Sequence, residues 1–490
     1  MTASPNILWI CTDSQRWDTL GCYGNPWVRT PHLDQLAREG VLFEHAYAQN
    51  PLCTPSRGCF LTGRYPVTTG LRQNGQDIRS GETLVTKLLA DAGYVCGLAG
   101  KLHLSACDHR LRKFGKDEWW RQNEELFFSG VERRIDDGYA EFHWDHAPSP
   151  RFRSSSYTRW LLERGVRFHT PDRSDSALVK HGMPVEHHQT TFCAEKAIGF
   201  IRAYQGAPHP WLFSVNIFDP HFTLDPPDEL LARYEQRLDE IPLPNYVEGE
   251  LEHKPPYQKL FSERGKFNRM TMTARDHHLC RAAYWAMCDL IDMQVGRMLA
   301  ALDETGQRGN TLVIFTSDHG ELLGDHGIYV KGPFMYDPAI RVPLIVSQPG
   351  VIAPGRRAAA LVELGDLAPT LLETAGLPRH PGMQARSFWP LLAGTGDAAQ
   401  FRDDVYCEYY NSNPDKPPQY CTMVRTQRHK IVVFHGQDTG ELYDLAADPL
   451  ETHNLWRDPR HAQTKMELLL RVCTRMAQTA DPLPERVGIY

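Results

Sequence analysis

Five consecutive residues, Cys53-Thr54-Pro55-Ser56-Arg57, put a nucleophile, two hydroxyls and a permanent cation around a proline suited to the first turn of a helix. The backbone N–H groups of Cys53 and Thr54 then lack helical partners and face outward, and such an end attracts anions. A lone cysteine is more often a buried apolar thiol, and a lone carboxylate is more often a cap. Here the other reactive side chains recur at one kind of place, the end of a short apolar run. Asp13 follows Asn6–Cys11, Lys101 and His103 follow Tyr94–Ala99, His221 follows Trp211–Ile217, and Asp318 with His319 follows Thr311–Thr316, with Lys331 shortly after. Runs of this kind read as buried parallel strands, and ligands bind at their carboxyl ends. Asp13, Asp318 and His319 offer oxygen and nitrogen donors of the sort that hold a divalent cation.

The elements that would bring these groups together alternate strand and helix through most of the chain. Thr30 and Pro31 start a helix carrying Leu33, Leu36 and Ala37, and Val41–Tyr47 is a strand delivering the chain to Cys53. Further helices are expected near 83–92, 190–204 and 365–375. The clearest amphipathic helix spans Cys280–Asp303, where the methionines at helical spacing read as core. Val342–Val346 is another strand. Residues 105–185 break the rhythm. They are rich in Arg, His, Trp, Ser and Asp, include Trp119, Trp120, His143, Trp144, His146, Arg151, Arg153 and Trp160, and read as an insertion forming a substrate lid or pocket wall. From about 401 strand-like runs follow without crossover helices, which predicts an antiparallel sheet. The expected fold is α/β, a mainly parallel mixed sheet between helices. A catalytic domain over 1–380 precedes a small C-terminal α+β subdomain over 381–490.

Composition narrows the function. The 490 residues carry a net charge of −7 with no basic run, which argues against a nucleic-acid partner. No stretch of about 18 apolar residues exists, so no membrane span is expected. The start of the chain has no signal-like segment, and the twelve cysteines include no C-x-x-C pair. The chain therefore reads as cytoplasmic, with mostly reduced structural thiols.

The run from Cys53 to Arg57, extended by Leu61-Thr62-Gly63-Arg64, matches the signature of type I sulfatases, and the chain resembles that family of the alkaline phosphatase superfamily over nearly its whole length. The 441–455 stretch, ELYDL-x-x-D-P-x-E-x-x-N-L, is similar as well. The resemblance implies hydrolysis of a sulfate monoester. In the family a maturation enzyme oxidises the signature cysteine to formylglycine, whose hydrate attacks sulfur beside a divalent metal. It implies a metal site of Asp13, Cys53, Asp318 and His319, with calcium the first choice and manganese the alternative. Arg57 would hold the formylglycine diol, Lys101 and His103, matching G-K-x-H, would bind sulfate and act as the base, and His221 and Lys331 would contact the bridging oxygen. Asn74 would line the pocket, as in phosphonate-hydrolysing relatives. The sequence departs from the family at Ser14, where most members have a second Asp. The spacing from Asp318-His319 to Lys331 is also similar to phosphonate monoester hydrolases, which generally lack the G-K-x-H pair; a phosphonate monoester or phosphodiester substrate is therefore the alternative. Two other readings stay open on the residues alone: a binding protein with Cys53 unconverted, and a metal-free thiol hydrolase with Cys53 and His103 as a dyad. A homo-oligomer is expected from the family's habit. Asp325 and His326 read as loop structure, and the pairs His187-His188 and His277-His278 as solvent-facing.

Overall fold

The computed structural model describes residues 4–107, 135–149, 155–412 and 417–483. Its strands are β1 (Asn6–Thr12), β2 (Val41–Tyr47), β3 (Val95–Gly100), β4 (Tyr139–Trp144), β5 (Asp172–Arg173), β6 (Ser176–Lys180), β7 (Trp211–Asn216), β8 (Thr311–Ser317), β9 (Arg341–Val342), β10 (Leu344–Ser347), β11 (Arg356–Glu363), β12 (Asp404–Tyr410), β13 (Tyr420–Thr426), β14 (His429–Phe434) and β15 (Gly440–Asp444).

One sheet runs in the order β11-β2-β10-β8-β1-β7-β3-β4, with β9 paired to β2. β8, β1, β7, β3 and β4 are mutually parallel, and β10 runs against β8 and β2. β1 is buried at every position because both of its faces are covered. Ile7, Trp9 and Cys11 pack with Phe60, Leu89 and Leu371 on one side, and Leu8 and Ile10 pack with Leu36, Ile198 and Ile291 on the other. The mixed, mainly parallel sheet between helices is thus as expected. A second sheet, β12-β13-β14-β15, is antiparallel throughout, and the helix Ala462–Gln478 covers it. Its other face joins Tyr47 and Leu361 of the main sheet through Val405, Cys407 and Met423.

The structure departs from the sequence reading in several places, each for a physical reason. β11 was not expected, because its two leading arginines and alanine run disguise an edge strand that pairs in parallel with β2. β4 lies inside the stretch read as an insertion; it extends the main sheet beside β3, and Trp144 and Trp160 are core side chains, each 3% exposed. Trp119, Trp120, Arg151 and Arg153 lie outside the described residues. The run Val342–Val346 is split, because Pro343 has no N–H for the ladder and separates β9 from β10. The long helix begins earlier, at Ala274, where Thr273 and Asp276 form a reciprocal capping box. The histidine pairs do not face solvent. His188 is buried and caps the helix Gln189–Ala203, and His278 is buried in the long helix, while His187 and His277 are half-buried.

Candidate active site

The register of the central strands brings the reactive groups together. Thr12 pairs with Ser317, so the chains leave β1 and β8 side by side, and the Asp318 N–H donates to the Thr12 carbonyl at 3.1 Å. Asp13 in turn donates its N–H to the Asp219 carbonyl after β7 at 3.2 Å. The backbone turns at Ser14 in the left-handed region, φ 65°, held by the Ser14 N–H on Asp318 Oδ1 and by the Tyr284 hydroxyl on the Ser14 carbonyl. On the other side Gly100, φ 100°, sits where a Cβ would meet the Asn216 carbonyl oxygen at 1.9 Å, so the turn carrying Lys101 requires glycine.

The helix Cys53–Thr62 starts at Cys53 and is buried along its length. Its thiol lies 3.6 Å from Asp13 Oδ1, 3.3 Å from His319 Nε2 and 3.3 Å from Lys331 Nζ. Burial opposes a charged thiolate, yet Lys101, Lys331, His319 and a hydrogen bond with His103 hold its pKa well below the ordinary value. Arg57, one helical turn on, is fully buried. Its Nε donates to Asp318 Oδ2 at 2.9 Å and its Nη1 to the Lys101 carbonyl at 2.8 Å, while Nη2 lies 3.6 Å from Asp13 Oδ2. Lys101 Nζ donates to Asp13 Oδ2 at 2.6 Å. Burial pushes the Asp13 carboxyl upward, but Lys101, Lys331 and His221 outweigh it and keep the group ionised.

Asp13, Cys53, Asp318 and His319 each offer one donor atom, and these atoms lie within 4.8 Å of one another. His319 Nδ1 faces the Gly320 carbonyl at 2.8 Å; a carbonyl only accepts, so Nδ1 carries a hydrogen and Nε2 is the nitrogen that faces the cluster, with a lone pair to offer when the ring is neutral. Two carboxylate groups and an imidazole lone pair converging on one point fit a divalent cation. Ser14 faces this point, its hydroxyl donating to Asp13 Oδ1 at 2.9 Å and accepting from Lys331 Nζ at 3.0 Å. Gln15 is turned away, its Nε2 donating to Thr19.

The remaining expected residues surround this centre. His103, φ 59°, lies within hydrogen-bond reach of the Cys53 side chain, and burial together with Lys101 lowers its pKa to about 4. His221 follows β7; its Nδ1 donates to the Phe222 carbonyl at 2.5 Å, which leaves Nε2 for proton exchange. Asn74 is exposed, and its Oδ1 accepts from the Thr54 N–H at 3.0 Å, so its carbonyl serves the start of the signature helix. Asp325 pairs with Arg16 at 2.8 Å and His326 stacks on Tyr336, both away from the metal donors. His146, which the sequence offers only as one of the residues of the 105–185 stretch, lies beside this centre, its ring meeting that of His103 edge-on at 4.5 Å. Nothing in its local pattern marks it, because the contact depends on β4 lying beside β3.

A mainly parallel sheet with a cysteine thiol, buried cations and converging carboxylate and imidazole groups at its carboxyl edge fits one class, hydrolases of anionic esters with the alkaline phosphatase type of fold. The particular group follows from comparison. The sulfatase profile matches residues 5–377, and one described as N-sulphoglucosamine sulphohydrolase, C-terminal, matches residues 324–478. The chain belongs to the sulfatase family and is a sulfuric ester hydrolase. An N-acetylglucosamine-6-O-sulfatase of Bacteroides thetaiotaomicron is 27% identical, over 99% of this chain and 88% of that protein. An arylsulfatase of Clostridium perfringens is 27% identical, over 92% of this chain and 90% of that protein. The phosphonate monoester hydrolase of Agrobacterium radiobacter superposes with a TM-score of 0.80 at 26% identity, covering 98% of this chain and 97% of that one.

Proposed function

We propose that the protein hydrolyses the sulfate monoester of a small molecule, with the residue at position 53 converted to formylglycine and one divalent cation held by Asp13, Asp318, His319 and residue 53. The observation that supports this most is the place of the Cys53 side chain, between Asp13, His319 and Lys331 at the start of a helix. Calcium is the first assignment, as the resemblance to the family implies; the imidazole of His319, softer than an oxygen donor, keeps manganese as the alternative. When present, the hydrated aldehyde supplies a hydroxyl nucleophile and the cation polarises it and a sulfate oxygen.

The chain's own residues do the rest. Arg57, Lys101 and Lys331 place three positive charges against the two carboxylates Asp13 and Asp318, an excess of one before any cation binds. That excess favours an anionic sulfate, and the charge growing in the transition state meets groups already in place. Lys331 and His221 face the bridging oxygen, and His221 Nε2 gives its proton to the departing alkoxide. His103, neutral because it is buried next to Lys101, takes the proton whose loss frees sulfate. A formylglycine-generating enzyme is the partner required for maturation. Among the described residues no helix is long and apolar enough to cross a membrane. A cytoplasmic location and a homo-oligomer are part of the same proposal.

A second reading, hydrolysis of phosphonate monoesters or phosphodiesters at the same site, is favoured by the fold match above and by the Asp318-His319 pair. Rates on matched aryl sulfate and aryl phosphonate esters decide between them. Sulfate is expected to be the faster substrate, because Lys101 and His103 add a cation and a base; faster phosphonate cleavage would reverse the assignment. Activity is expected to vanish on chelation and to return with calcium. Activity indifferent to chelation would favour the Cys53–His103 thiol hydrolase.

A further inference from the structure

The loop that leaves β8 with Asp318 and His319, and later presents Lys331, is built against local backbone preference. Leu323, His326 and Val330 adopt φ of 50°, 57° and 62°, a region that side chains disfavour and a β-branched valine most of all. Val330 immediately precedes Lys331. A conformation of this kind persists only where surrounding structure imposes it.

The surroundings are the C-terminal sheet and the segment after it. The His326 ring stacks on Tyr336 at 3.8 Å and receives Lys254 Nζ on Nδ1 at 3.1 Å. The Tyr336 hydroxyl donates to Glu441 Oε1 of β15 at 2.5 Å. At the next residue, the Asp337 N–H donates to Glu451 Oε2 at 2.8 Å, and Asp337 Oδ1 receives Lys430 Nζ of β14 at 2.6 Å. Lys430 Nζ also pairs with Glu451 Oε1 at 2.6 Å and donates to the Met335 carbonyl at 3.2 Å. The Lys430 side chain is 0% exposed and that of Glu451 1%. Replacing such a buried ionic cluster by apolar side chains is often neutral or stabilising, so stability alone gives little reason for it. What the cluster does provide is a fixed position for residues 335–337, the return end of the loop that presents Lys331.

We propose that Lys430 and Glu451 are positioning residues for Lys331, acting through Asp337 and the Met335 carbonyl, so that the C-terminal sheet sets the geometry of leaving-group departure. This gives the ELYDL-x-x-D-P-x-E-x-x-N-L stretch, which contains Glu451, a part in the reaction. The role of Lys331 at the bridging oxygen rests on the proposed function above.

The test uses the full chain and two variants. Glu451→Gln keeps the acceptor for the Asp337 N–H but removes one charge, and Glu451→Gln with Lys430→Met removes both, guarding against misfolding of the single variant. Steady-state rates are measured on aryl sulfates of graded leaving-group acidity, beside Lys331→Ala, and hydrogen exchange is followed by mass spectrometry in peptides covering 319–337. Misplacement of Lys331 by about 1 Å is expected to lower kcat on the order of 100-fold for the poorest leaving group. The best leaving group should be far less affected and KM little changed, the pattern shared with Lys331→Ala, while exchange in 319–337 accelerates. Equal losses across all leaving groups, or unchanged exchange in 319–337, would overturn the proposal. If the unaltered enzyme turned over no sulfate ester, the functional reading would fail, and the exchange arm would still decide the positioning claim.

Discussion

Arg57→Met should cost both stability and activity, and the size of each follows from where the guanidinium lies. It is fully buried and is shared between Asp318, Asp13 and the Lys101 carbonyl, so no solvent replaces it when it is removed. Methionine fills much of the same volume, which leaves the loss of charge as the main change. Breaking a buried pair from one side typically costs about 3–5 kcal/mol, against a total stability of about 5–15 kcal/mol for a folded domain. Denaturant unfolding followed by tryptophan fluorescence reads this loss directly. Arg57→Met with Asp318→Asn removes both charges of the closest pair and should regain part of the stability, while activity on an aryl sulfate stays on the order of 100-fold or more below the unaltered enzyme. A loss below about 1 kcal/mol for Arg57→Met, the value of a solvent-screened surface pair, would refute the description of Arg57 as a dry, buried ion-pair partner of Asp318.

Other expectations follow. Glu363 is buried, which alone would raise its pKa, but Arg402 and Arg475, with the Tyr65 hydroxyl and the Tyr406 N–H, bring it down to about 2. A fall from the ordinary 4.5 to about 2 corresponds to about 3 kcal/mol, present above pH 4.5 and lost as the pH drops towards 2. Glu363→Gln should therefore be destabilised at pH 7 and converge on the parent near pH 2 in denaturant titrations; a constant gap across that window would contradict the assignment. His103→Ala should release one equivalent of alcohol per site and then stall, seen as a burst without steady turnover, whereas an unchanged steady rate would remove His103 from the proton path. Asn74→Ala takes the acceptor from the Thr54 N–H and should cost about 1 kcal/mol of stability, as loss of a helix-start acceptor does; an unchanged unfolding midpoint would show that water replaces it.

The parts legible in sequence were those governed by local rules. Short apolar runs announced β1, β3, β7 and β8, and the reactive residues directly after them marked the carboxyl edge, because a parallel strand buried on both faces needs a continuous apolar stretch. Cys53 to Arg57 announced the helix start through Pro55. What stayed hidden depended on distant partners. β11 is an edge strand whose apolar residues matter only against β2, and His146 meets His103 only because β4 joins β3. His188 and His278 looked like surface residues because polarity was the only local cue, yet each is buried. The side on which Ser14 lies was equally undecidable, since its left-handed turn is imposed by Asp318 and Tyr284, far away in the chain.

The central claim is that position 53 becomes the nucleophile of a sulfatase. Intact-peptide mass spectrometry across Cys53, on protein produced together with a formylglycine-generating enzyme and assayed in the same preparation on an aryl sulfate, tests it most directly. The account predicts conversion of the thiol to the aldehyde and activity proportional to the converted fraction, with none in Cys53→Ala. Full activity in protein whose Cys53 remains a thiol would contradict it.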